Sequence, residues 1–133
     1  MSERQMPEPS EYQEQVALMR WAEYNKCAHP ELKLLMHIPN GGQRGKAEAG
    51  RFKAMGVKPG VPDLFLPVAR GGKHGLWIEL KRASKGKMSS VQKGWIIALR
   101  EQGYQAGICH GWLEASEAII AYLRGDDGEQ KQL

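Results

Sequence analysis

A chain of 133 residues, 41% hydrophobic and 26% charged, has the make-up of one folded domain and is too short for a second. Its net charge of +4 and pI near 9.1 come largely from a basic middle running from Arg44 to Lys93, which suits a polyanionic partner but also an ordinary solvated surface. Two distant cysteines, Cys27 and Cys109, exclude a zinc ribbon or disulfide framework and fit a reducing cytoplasm, while the lack of a signal-like leader or an apolar run of roughly 20 residues argues against secretion and membrane insertion.

In chain order, residues 1–9 are polar with two prolines and are expected to be loose. Ser10 can cap a helix over about 11–25, in which Val16, Ala17, Leu18, Met19, Trp21 and Ala22 supply the apolar positions. The run LKLLMHIP at 32–39 reads as a strand stopped by Pro39 and the turn Asn40-Gly41-Gly42. A short helix over about 46–55 should end at Gly56. DLFLPV (63–68) and LWIELK (76–81) read as two strands of a hairpin turning near Gly71 and Gly72. Ser89 or Ser90 caps a helix VQKGWIIALREQ that stops at Gly103; YQAGICH is a strand, and 113–124 a last helix. The tail 125–133 is polar and expected to be loose, leaving 10–124 as the folded domain. The order α-β-(α)-β-β-α-β-α predicts an α/β fold, a mixed central β-sheet flanked by helices, with its last two strands joined through a crossover helix.

The chemistry concentrates in the hairpin. Alternation along LWIELK puts Trp77, Glu79 and Lys81 on one face and Ile78 and Leu80 on the other. A solvent-facing edge strand with a weak surface ion pair would explain Glu79 and Lys81 taken alone. The partner strand points elsewhere: a turn near Gly71-Gly72 brings Asp63 about opposite Glu79. Two carboxylates so close repel unless a cation lies between them, and oxygen ligands of this kind suit Mg2+ or Mn2+. The Leu80 carbonyl can add a ligand, and Lys81 can orient a water or stabilise charge on a phosphorane-like transition state.

Gly60-Val61-Pro62-Asp63, followed by Glu79-Leu80-Lys81, resembles the PD-(D/E)XK motif of the restriction-endonuclease-like nucleases. Over about 10–124 the chain resembles the stand-alone, phage- and bacterium-associated members of the VRR-NUC family. The resemblance is carried by Ser10-Glu11 with Gln15, Ile38-Pro39-Asn40-Gly41-Gly42, GVPDLFLP, HGLWIELK, and Gln92 with Trp95. It implies a restriction-endonuclease-like core with Asp63, Glu79 and the Leu80 carbonyl as metal ligands and Lys81 as the catalytic lysine. The family's first-helix glutamate maps to Glu11, a further catalytic and metal-binding candidate, with Glu14 competing; if not in the site, Glu14 is expected to be a solvent-facing helix charge. Gln92 would position the lysine or the scissile phosphate. The resemblance further implies a homodimer that cuts branched DNA such as Holliday junctions with Mg2+ or Mn2+. The alternative is a catalytically inactive DNA-binding module with a nuclease fold.

Beside this centre, Asn40, Arg44, Lys46, Arg51, Lys53 and Lys58 form a candidate DNA-contacting segment, although Asn40-Gly41-Gly42 is first of all a turn. Phe52 within it reads as core. His37, His74 and His110 lack metal-ligand spacing and read as structural or exposed.

Overall fold

Two local signals set the first and third helices. Ser10 and Ser89 each accept a hydrogen bond from the amide three residues on, while the glutamine at that position, Gln13 or Gln92, reaches back to the serine amide. These are capping boxes, and each satisfies two amides that a bare helix start would leave open. They open α1 (Glu11–Asn25) and α3 (Ser90–Glu101). The computed structural model describes residues 7–39, 45–84 and 86–125.

Between these helices lie β1 (Met36–His37), α2 (Lys46–Met55), β2 (Leu64–Leu66) and β3 (Leu76–Lys81); β4 (Gln105–His110) and α4 (Gly111–Leu123) follow. The sheet order is β1-β2-β3-β4, with the β1-β2 and β2-β3 pairs antiparallel and β4 parallel to β3. The expected mixed sheet and crossover helix are both present.

The strand expected over 32–39 is mostly something else. Pro30–Leu34 form a short 3-10 turn, and only Met36 and His37 pair as strand. Leu32 and Leu35 are buried three residues apart. That spacing places both on one side of a three-residue turn, whereas in a strand they would face opposite sides. β2 is also shorter than expected, since Pro67 has no amide to donate and Val68 already turns back onto the Leu66 carbonyl. α4 starts at Gly111, two residues early. The expected turn at Asn40 lies outside the described residues, as do 1–6 and 126–133. Glu8, inside the segment expected to be loose, is held by Arg82 and by the Ser84 amide.

One sheet face carries the main core. Leu64 and Leu66 from β2 and Ile78 and Leu80 from β3 pack with Leu18 and Ala22 of α1 and with Ala115, Ile119 and Tyr122 of α4. The other face carries Phe65 stacked on Trp77, their ring centres 4.1 Å apart, with Tyr104 edge-on to both. Farther along that face stand Glu79 and Lys81. β3 is thus an inner strand covered on both sides, and the surface-edge explanation of its two charges fails: Glu79 is 2% exposed and Lys81 9%.

Candidate active site

The β2-β3 register pairs Leu64 with Ile78 and Phe65 with Trp77, and one step further brings Asp63 opposite Glu79. Asp63 stands immediately before β2, and its carboxylate crosses to β3, where Oδ2 accepts the Leu80 amide at 2.8 Å. A strand residue turns its amide and carbonyl toward the same neighbour, so the Leu80 carbonyl faces the Asp63 side as well.

Glu79 is held from two directions. Its Oε1 accepts the Gln92 side-chain amide at 2.9 Å and lies 3.4 Å from the Lys81 ammonium. Its Oε2 is buried with no hydrogen-bond partner. Burial first, then the neighbouring Asp63 charge, pushes the Glu79 carboxyl up to about 8, with Lys81 pulling the other way. A buried carboxylate oxygen with nothing to bond, next to a second carboxylate, is costly in the bare protein. A hard cation supplies what both lack, so the donors present fit one.

Gln92 is better defined than expected. Its carbonyl end closes the α3 capping box on Ser89, which leaves the amide end aimed at Glu79. The structure therefore places it on a carboxylate, not on the lysine or a free surface. Lys81 is confined as well: the loop returning over it brings Gly86 so close that a Cβ there would stand 2.6 Å from the Lys81 Cβ.

Glu11 and Glu14 fall on different faces of α1. Glu14, Leu18 and Ala22 recur every four residues on the buried stripe. The Glu14 carboxylate is 4% exposed and accepts the Trp112 amide at 3.2 Å, at the N-terminus of α4, where negative charge is favoured. The solvent-facing role expected for Glu14 outside the site is thus corrected: it ties α1 to α4. Glu11 is exposed and, with Tyr12, Gln15 and His37, lines a cavity of about 160 Å3 whose floor is Asp63 and Leu80. Among the described residues no three of His, Cys, Asp and Glu are grouped as a metal cluster, while Glu11 shares the lining of one cavity with Asp63 and Leu80.

Tyr12, Gln15 and His37 of this cavity are not among the site residues the sequence points to. His37 bonds the Asp63 carbonyl through Nδ1 at 3.0 Å, beside the Ile38 amide bonded to the same oxygen at 2.7 Å. Gln15 has a buried Nε2 with no partner. Its four-residue spacing from Glu11 was the available signal; His37 offered none, because a strand of two residues shows no alternation. On the far side, the Trp95 indole donates to the Pro59 carbonyl at 3.0 Å and steadies the loop that delivers Asp63.

The basic segment is distributed differently. Lys46, Arg51, Lys53 and Lys58 are all exposed, on or just after α2, which buries none of its residues; Asn40 and Arg44 lie outside the described residues. Phe52 is only half-buried and does not belong to the core, contrary to expectation. No helix among the described residues is long and apolar enough to cross a membrane.

A model of the VRR-NUC domain matches residues 9–112. A solved structure described as a VRR_NUC domain protein is 32% identical and superposes with a TM-score of 0.79, covering 96% of this chain and 100% of the other. No curated protein sequence matches.

Proposed function

From the premise that the chain belongs to the VRR-NUC domain family and has its nuclease-like fold, we propose that it is a metal-dependent DNA endonuclease centred on Asp63, Glu79 and Lys81. The observation that carries this reading is the buried, unpartnered Glu79 oxygen beside Asp63. Asp63, Glu79, the Leu80 carbonyl and Glu11 would hold Mg2+ or Mn2+. The ion, when bound, supplies Lewis-acid stabilisation of the phosphorus centre and its leaving oxygen.

The chain's own residues do the rest. Gln92 fixes one Glu79 oxygen and so orients the other. Lys81, its stem closed in by Gly86, keeps its ammonium beside the reacting phosphate, where it orients the attacking water and offsets the charge that develops on the non-bridging oxygens. The exposed Lys46, Arg51, Lys53 and Lys58 grip the backbone without reading bases. Branched DNA is the preferred substrate and a homodimer the working unit, since two symmetric sites suit a four-way junction.

The test is a panel of four-way junction, flap, splayed and linear DNA, incubated with Mg2+, Mn2+ or EDTA. Metal-dependent cutting, strongest on the junction, is expected. Tight DNA binding without cutting in either metal would favour an inactive binding module.

A further inference from the structure

Three residues past Lys81 and three before Glu11, the chain makes a contact that neither the cleavage centre nor the α2 segment uses. The Glu8 carboxylate accepts the Ser84 backbone amide through Oε1 at 2.6 Å and the Arg82 guanidinium through Oε2 at 2.9 Å. A guanidinium and a backbone amide converging on two oxygens of one anion are the donors that recognise phosphate. Both sit in the turn that closes over the Lys81 stem, and Glu8 is continuous with the helix whose Glu11 lines the Asp63 cavity. Arg82 retains 40% side-chain exposure and Glu8 22%, so the pair is half-buried with the guanidinium as the partner a competing anion can reach.

We propose that Arg82 and the Ser84 amide form a binding site for a phosphate of the DNA strand, occupied in the free protein by the Glu8 carboxylate, which the incoming phosphate displaces. This rests on the DNA-directed reading of the family. The exchange replaces one oxyanion by another on the same donors. A partly solvated ion pair contributes modestly, so a phosphate anchored at several other points wins the competition. Glu8 then acts as a built-in counterion: binding at this position frees a protein carboxylate that takes up a cation and so offsets the one the phosphate releases. It also disfavours loose, non-specific association, because the displaced charge remains close to the backbone.

Fluorescence anisotropy of the full chain with a labelled duplex, in EDTA and across about 50 to 200 mM salt, tests this. Glu8→Gln should tighten binding roughly threefold. It should also steepen the plot of log affinity against log salt by about 0.9, the share of one phosphate contact. Arg82→Gln should weaken binding, and Glu8→Gln with Arg82→Gln should behave as Arg82→Gln alone. Glu117→Gln, an exposed charge on α4, controls for net charge and should do less than Glu8→Gln. An unchanged slope in Glu8→Gln, an equal gain from Glu117→Gln, or a gain that survives loss of Arg82 would overturn the proposal and show Glu8 to be a structural clip. Failure of the underlying reading looks different: no salt-sensitive binding by any variant, the wild type included, which would overturn both.

Discussion

Glu79 has a folded pKa near 8 against an ordinary 4.5, raised chiefly by burial and then by Asp63. Folding therefore favours its protonated form, and the resulting stability is complete below about 4.5 and lost as pH rises toward 8. Metal-free protein should melt several degrees lower at about pH 8.5 than at about pH 6, by circular dichroism in EDTA, and Glu79→Gln should flatten that difference. Added Mg2+ should restore more stability at the higher pH. The two first-helix glutamates give a second contrast. Glu14→Ala strips the Trp112 amide of its partner and should cost about 1–3 kcal/mol in urea unfolding. Glu11→Ala, at an exposed position, should leave stability within about 0.5 kcal/mol and reduce cleavage. Reversal of that pattern would make Glu14 the site residue. At this scale the sequence was informative for Asp63, Glu79 and Lys81 because alternation and hairpin register need only backbone geometry. It was silent on His37 and Glu8, whose roles come from contacts 26 and 76 residues away.

At the level of elements, the site depends on two clamps. α3 holds Glu79 through Gln92 and steadies the loop before Asp63 through Trp95, where Gly60, at φ +87°, packs so closely that a Cβ would stand 2.6 Å from Val91. Gln92→Ala removes both half a capping box and the Glu79 contact. It should cost about 1 kcal/mol of stability and roughly tenfold or more in cleavage. Gly86→Ala should displace Lys81 and lower the cleavage rate with little change in DNA affinity, since the clash falls on the base of the lysine stem and not on its flexible end. The helices with capping residues were legible from sequence to within a residue or two. The strand expected at 32–39 was not, because Pro30 and the three-residue spacing of Leu32 and Leu35 favour a tight turn against α1. Local β propensity in LKLLMHIP gave way to that packing.

For the whole molecule, a basic exterior surrounds an acidic centre. On the proposed reading, Lys46, Arg51 and Lys53 of α2 would draw in a polyanion, while Asp63, joined by Glu79 once it ionises above about pH 8, would oppose it until a cation is bound. DNA affinity should therefore rise when Mg2+ or Ca2+ is added at constant ionic strength, and this rise should disappear in Asp63→Asn. The most direct test of the central claim is nicking of supercoiled plasmid with Mg2+ or Mn2+ by the wild type and by Asp63→Ala, each first shown to be folded by thermal melt. Nicking by the wild type that EDTA abolishes is expected, with a loss of at least about a hundredfold in rate in Asp63→Ala. Equal nicking by the two proteins would contradict the claim.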